Sequence, residues 1–341
     1  MPSLEQFIAQ LPKAELHVHL EGCVEPEMLW QLARRHRTPL VEKGETAVRQ
    51  LYSTTDFQGF LQAFKTVCEH LRTPEDYELI TYDALRRLAS QNVRYAEVTI
   101  SAGVMLWKGE DVPSSFEGIA AGYERVRKES GIRVQWIFDA VRQFGPEAAL
   151  QVAHTAAALK QRGVIGFGIG GDEQKAPAEI FREVFACARR EGLHLTAHAG
   201  ETAGPESVWT ALDVLGVERI GHGLTAARDA SLVKVLAEKQ LPLDICLTSN
   251  LRTGVLRQMA SHPLRQYLEQ GVLLSLNTDD PALFGTDLNR EYLLAQKTFG
   301  LTMKEMTRLA ESSFRAAFLP PDENQIYLSE FGTTALYPRS D

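Results

Sequence analysis

Asn277-Thr278-Asp279-Asp280 follows the apolar run Val272-Leu273-Leu274-Ser275-Leu276, and the change of character at that junction decides the fold. An apolar run that breaks into polar, ligand-capable residues is how a strand of an α/β barrel meets its loop. The same junction recurs at His17-Val18-His19, at His198-Ala199-Gly200-Glu201 and at Ile220-Gly221-His222-Gly223. Outward from these points, runs at 14–19, 93–100, 132–139, 164–169, 194–198, 219–222, 241–247 and 272–277 have strand character. Stretches 177–190, 205–215 and 230–239 carry apolar residues at the three- and four-residue intervals of helices. Strands alternating with helices in this number predict parallel strands, helical crossovers and a closed (β/α)8 TIM barrel. Segment 26–87 is too long for one crossover and reads as several helices. Its stripe of Phe57, Phe60, Leu61 and Phe64 is either an insertion over the barrel mouth or a packing face.

The whole chain, 1–341, reads as a single metal-dependent hydrolase barrel domain, because such barrels exceed ordinary domain size and no linker, repeat or low-complexity tract divides it. Acidic residues outnumber basic ones 44 to 36, with 44% apolar residues. That balance suits a folded core. It shows no basic footprint for nucleic acid and no polybasic membrane patch, so the expected partner is a small molecule. Cys23, Cys68, Cys187 and Cys246 form no CxxC pair, as expected of reduced thiols in a cytoplasm. No secretory leader pattern opens the chain and no apolar stretch reaches spanning length, so a soluble, cytoplasmic protein is expected.

In a strand, positions i and i+2 share a side, so His17 and His19 point into the barrel together. His198 and Asp279 end other strands, and three imidazoles with one carboxylate form a donor set suited to zinc. Core histidines with an N-capping Asp279 are the plain alternative. Glu201 lies just beyond a strand end, as a proton shuttle kept neutral by burial or as a helix N-terminal acid. His222, between two glycines, stands either beside a metal's water or as a satisfied core histidine. Asp280 either bonds a substrate ring nitrogen or starts a helix in Asp-Asp-Pro, and beside Asp279 it belongs to a coupled carboxylate pair.

Leu11-Pro12-Lys13-Ala14-Glu15-Leu16-His17-Val18-His19-Leu20-Glu21-Gly22, Gly170-Gly171-Asp172-Glu173, His198-Ala199-Gly200-Glu201, Ile220-Gly221-His222-Gly223, Thr248-Ser249-Asn250 and Asn277-Thr278-Asp279-Asp280-Pro281 resemble the motifs of the adenosine deaminase family of the amidohydrolase superfamily, in its order. The resemblance implies an enzyme that replaces the 6-amino group of an adenine ring with oxygen. It implies one zinc ion per chain on His17, His19, His198 and Asp279, with Glu201 protonating N1 and His222 with Asp279 orienting the attacking oxygen. Asp280 would hold N7, and the backbone of Gly171 would meet N3.

The chain departs from adenosine-specific members at Glu21, where they carry a ribose-binding Asp, at Gly170, and at Thr99, where they carry Arg. It departs from the free-base adenine branch at Thr278 and Thr248. The mixture points to a nucleoside with an altered 5′ end. The known case is 6-aminodeoxyfutalosine of an alternative menaquinone route, whose extension ends in a benzoate. Glu21 would read that side and Arg252 would pair with the carboxylate. Adenosine and 2′-deoxyadenosine remain open, as do adenine itself and a catalytically inactive purine-binding relative. Two-metal amidohydrolases of the phosphotriesterase or dihydroorotase type place a carboxylated lysine at the fourth strand end, where this chain has Phe167-Gly168-Ile169-Gly170-Gly171, so one metal is expected.

Overall fold

The computed structural model describes residues 3–333, and the ends of the expected 1–341 domain, residues 1–2 and 334–341, lie outside the described residues. The eight strands are β1 (Lys13–His19), β2 (Val93–Ile100), β3 (Arg133–Val141), β4 (Val164–Gly170), β5 (His194–Ala199), β6 (Arg219–His222), β7 (Leu243–Ile245) and β8 (Leu274–Leu276). They lie in chain order and pair in parallel. Val18 bridges to Asp279, with His19 N donating to Asp279 O at 2.8 Å and Asp279 N to His17 O at 3.0 Å. The sheet is thus the (β/α)8 barrel expected from the junctions, and candidate site residues form its seam.

β7 and β8 are shorter than runs 241–247 and 272–277. Leu247 already opens the helix Leu247–Arg252. Asn277 turns its Oδ1 onto the amides of Leu16 (2.7 Å) and His17 (3.1 Å), so a side chain takes over from the backbone ladder.

Branched apolar side chains usually fill a barrel of this kind. Here a paired charge network shares the interior. Arg219, fully buried, reaches Glu97 Oε2 at 2.6 Å and Asp244 Oδ2 at 2.9 Å, and donates to the carbonyls of Leu16 and Ala316. Ser275 Oγ donates to Asp244 Oδ1 at 2.6 Å. With these donors met, Asp244 can face His17 Nδ1 at 3.7 Å without leaving an uncompensated buried charge.

The chain opens with α1 (Leu4–Gln10), and segment 26–87 is built from α2 (Pro26–Arg35), α3 (Leu40–Leu51), α4 (Phe57–His70) and α5 (Pro74–Ser90), with α6 (Ala102–Trp107) following β2. Asp56 caps α4 by accepting from Gly59 N, and Thr73 with Asp76 makes a capping box ahead of α5. Phe57, Phe60, Leu61 and Phe64 line a cavity at the barrel mouth, so the insertion reading holds for this stripe. Two crossover helices differ in pitch from the expected periodicity. Ala178–Phe181 is a 3-10 turn before the α-helix Arg182–Arg190, and Pro205–Thr210 widens into a π-turn, Ala211–Leu215. Among the described residues no helix is long and apolar enough to cross a membrane.

Candidate active site and metal cluster

β1 brings His17 and His19 to the mouth, β5 brings His198, β6 His222, and the turn after β8 Asp279 and Asp280. All but the half-buried His198 are buried, along with Glu201. His17 Nε2 lies 3.2 Å and His19 Nε2 3.3 Å from Asp279 Oδ1, and His19 Nε2 faces His198 Nε2 at 3.3 Å. Donor atoms bound about 2.0–2.1 Å from one tetrahedral centre sit roughly 3.4 Å apart. His17 Nε2, although buried, has no hydrogen bond, so these spacings are those of ligands around a shared cation. Two overlapping clusters, His17–His198–His222–Asp279 and His19–Asp279–Asp280, hold donor atoms within 4.8 Å of one another. The residues therefore fit a metal ion.

The surroundings orient these donors. His198 Nδ1 donates to Ile169 O at 3.2 Å, which turns the Nε2 lone pair to the cluster. Ser249 Oγ donates to Asp279 Oδ2 at 2.6 Å. Burial, then the His17 and His222 imidazoles, hold His198 well below its ordinary pKa. Burial opposes ionisation of Asp279 as well, yet bonds from His17 and His19 hold it well below the usual carboxylate range. His222 and Asp279 both adopt positive φ, 65° and 66°. Such strain in non-glycine residues gathers at functional sites because the surrounding structure must hold it.

Asn250 Nδ2 donates to His222 Nδ1 at 3.2 Å, which places the imidazole hydrogen on Nε2. That atom lies 3.8 Å from Glu201 Oε2 and 3.9 Å from Asp279 Oδ2. Burial, then the Asp279 and Glu173 carboxylates, raise the Glu201 carboxyl well above its ordinary range. Burial and Asp279 do the same to Asp280. Gly221 has to be glycine, since a Cβ there would meet His17 Cε1 at 2.6 Å. Gly171, at φ +96°, would drive a Cβ to 2.3 Å from Gln143 Oε1.

His19, Gly171, His198, Glu201, His222, Asp279 and Asp280 all line one cavity of about 280 Å³. Glu21 and Arg252 are not among its lining residues. Glu21 is buried, with Oε1 accepting from Ser101 N at 3.0 Å and Oε2 unpartnered, and burial first raises its carboxyl to about 7. Arg252 Nη2 donates to Tyr52 O at 2.8 Å.

Sequence reasoning assigned no role to Glu173. Its carboxylate accepts from the amides of Gly200, Glu201 and Thr202 (2.8 Å each), from Ala203 (3.4 Å), and from the Ser207 hydroxyl. This clamp fixes the loop that presents Glu201. Its signals in the sequence are its position beyond a strand end and its place in the Gly170-Gly171-Asp172-Glu173 motif. Ser249 and Asn250 were visible as a motif but not as partners of Asp279 and His222.

Comparison with known proteins gives a consistent picture. Residues 12–333 match the family model described as adenosine deaminase. An aminodeoxyfutalosine deaminase of Streptomyces avermitilis is 40% identical over 318 residues, covering 93% of this chain and 89% of that protein. An adenine deaminase of Cupriavidus metallidurans is 37% identical over 328 residues, covering 96% and 92%. The crystal structure of an amidohydrolase from Burkholderia ambifaria with bound zinc superposes with a TM-score of 0.89 at 27% identity, covering 99% of this chain and 93% of that one.

Proposed function

Because this chain belongs to the adenosine deaminase family, we propose that it is a zinc-dependent cytoplasmic aminohydrolase. It converts the 6-amino group of an adenine nucleoside, 6-aminodeoxyfutalosine or adenosine and 2′-deoxyadenosine, to the 6-oxo product and ammonia. The observation that carries this reading is the Glu201 carboxyl and His222 Nε2, 3.8 Å apart, facing one cluster of metal donors in one cavity.

His17, His19, His198 and Asp279 would hold the zinc ion. When bound, it supplies the Lewis acidity that brings the pKa of water towards neutrality. The remaining work belongs to the side chains. Glu201 donates its proton to purine N1, which draws electrons from C6 and makes that carbon open to attack. His222 and Asp279 orient the attacking oxygen, because the His222 N–H and an Asp279 oxygen face the same side of the cavity. Asp280, carrying a proton, donates to N7, and the Gly171 backbone meets N3 where a side chain would collide. Collapse at C6 with a proton delivered to nitrogen releases ammonia.

Free adenine is the second reading, favoured by the Cupriavidus relative. An ultraviolet assay of purified enzyme with adenosine, adenine and aminodeoxyfutalosine side by side tests both. We expect the nucleosides, aminodeoxyfutalosine above all, to lose absorbance at the 6-aminopurine band. No turnover of any of the three would overturn the reading.

A further inference from the structure

The barrel ladder parts on one side near the mouth. β4 and β5 pair only at Gly166–His194 and Phe167–Leu195, low in both strands. β3 stays paired with β4 as far as Gly170, and β5 with β6 as far as Ala199–His222. The outer halves of β4 and β5 therefore share no ladder among the described residues. Glu218 N and Gly223 N, on the β6 side, donate to Leu195 O and Ala199 O. Carbonyls of alternate residues in a strand face the same neighbour, so the His198 carbonyl faces the gap towards β4. Left off the ladder, it needs another donor.

Arg142 supplies that donor. It follows β3 directly, opening the 3-10 turn Arg142–Phe144, and is 1% exposed. Its side chain passes the end of β4, with Nη2 donating to His198 O and Nη1 to Ala176 O at 3.4 Å. His198 closes the same gap from the other side through its Nδ1 on Ile169 O. One guanidinium thus holds the strand that carries His198 and, three residues on, Glu201; it also holds the loop after β4 that carries Glu173. A planar fork with two donors fixes the spacing of the two backbones, which a compact ammonium cannot do.

The bonding of Arg142 differs from that of Arg219, the other fully buried arginine on a barrel strand or its end. Arg219 is bonded to Glu97 and Asp244. Both bonds of Arg142 go to carbonyls, and its Nε has no partner. Burial pulls its pKa down, and Glu173, Asp139, Glu179 and Glu201 oppose that through space. An interior cation without a bonded anion is unfavourable for stability, and well-packed apolar residues would serve packing at least as well. What such residues cannot do is donate to two carbonyls at once.

We propose that Arg142 is a positioning residue for the reaction: by spanning the β4–β5 gap it sets the direction in which His198 presents Nε2 to the metal and the place where the next loop presents Glu201. The assignment rests on the deaminase reading of the site. It differs from the Glu173 clamp in what it predicts, because Arg142 holds the metal ligand itself as well as the acid.

The test titrates metal-free wild type, Arg142→Ala and Arg142→Lys with zinc against a chromophoric chelator, and follows kcat, KM and Tm of the zinc-loaded proteins. In Arg142→Ala the zinc dissociation constant should rise about tenfold or more and kcat should fall roughly 10- to 100-fold, with KM changed less than about threefold. A cavity of about 380 Å³ lies beside Arg142, lined also by Glu173, Ala178 and Ser207, so guanidinium ion can enter the space the truncated side chain leaves. Guanidinium at concentrations well below denaturing should return zinc affinity to within about threefold of wild type, while sodium chloride of equal ionic strength should not. Arg142→Lys keeps the charge and loses the fork, so its zinc affinity should fall between the two, and it carries the test alone if Arg142→Ala does not fold. Wild-type zinc affinity in either folded variant would overturn the proposal. So would losses that follow Tm and are not recovered by guanidinium, since Arg142 would then be merely structural. Wild-type protein that binds no zinc and turns over none of adenosine, adenine and aminodeoxyfutalosine removes the deaminase reading itself, whereas an active wild type matched by its Arg142 variants removes only the role of Arg142.

Discussion

A carboxylate that accepts from four consecutive amides and a hydroxyl does for Glu201 what no local feature of Glu201 can do, which is to hold its loop in one place. Glu173→Gln retains the shape but replaces one acceptor with a donor facing N–H groups, so kcat should fall roughly 10- to 100-fold with zinc content unchanged. Glu201→Gln should lower kcat on the order of 10³-fold, again with the metal retained. In the double variant Glu173→Gln should have no further effect, because the group it positions is already disabled; additive losses would make Glu173 a merely structural residue. Glu21 would act at one remove as well. Its bond to Ser101 N supports the start of the helix that ends in Trp107. Glu21→Asp withdraws the acceptor by one methylene, so the adenosine to aminodeoxyfutalosine ratio of kcat/KM should rise severalfold, one misplaced hydrogen bond being worth about 1 kcal/mol. An unchanged ratio with both rates intact would remove Glu21 from substrate selection.

Among the elements, the insertion carries its own polar tie between helices. Asp76 locks it: Oδ1 accepts from Arg35 Nη1 and Oδ2 from His36 Nε2, both at 2.7 Å, and Oδ2 also takes the amides of Arg72 and Thr73 at 3.0 Å. One side chain thereby ties α2 to the start of α5. Burial alone would raise its pKa, but the Arg72 amide, Arg35 and His36 outweigh that and hold it below the ordinary value. A depressed carboxyl contributes stability that is complete above the unfolded pKa of about 3.9 and is lost as pH falls through the lower folded value. Asp76→Ala should destabilise by about 3 kcal/mol at neutral pH, measured by denaturant unfolding, and the deficit relative to wild type should narrow in acid. A deficit that stays constant into strong acid would mean that the charge of Asp76 contributes nothing.

Across the whole molecule, metal binding and barrel closure share atoms. The seam pairs Val18 with Asp279, while the donors come from β1, β5 and the end of β8. Elemental analysis should find about one equivalent of zinc per chain. Chelation should abolish turnover and lower Tm by roughly 5 °C or more, since a ligand bound only to the folded state stabilises it. A chelated protein with full activity and an unshifted Tm would refute the assignment of His17, His19, His198 and Asp279.

Much of this was legible in the chain itself. Strand and helix periods are local, and ligands at strand ends are marked by the break from apolar to polar residues, so the eight strands, the barrel and the cluster of His17, His19, His198, His222, Asp279 and Asp280 could be read from spacing and motif. The widened turn at 211–215, the early end of β7 and the takeover of the ladder by Asn277 could not, because each depends on neighbours outside its own segment. The same holds for Glu173 on the amides of residues 200–203, Asn250 on His222 and Asp244 between Arg219 and His17. Arg252, read from its nearness in sequence to Asn250, is instead bonded to Tyr52, 200 positions earlier. Periodicity specifies which face of an element is buried, but which polar atoms meet across elements is set by barrel register and by how the insertion folds over the mouth, and only the tertiary structure decides that.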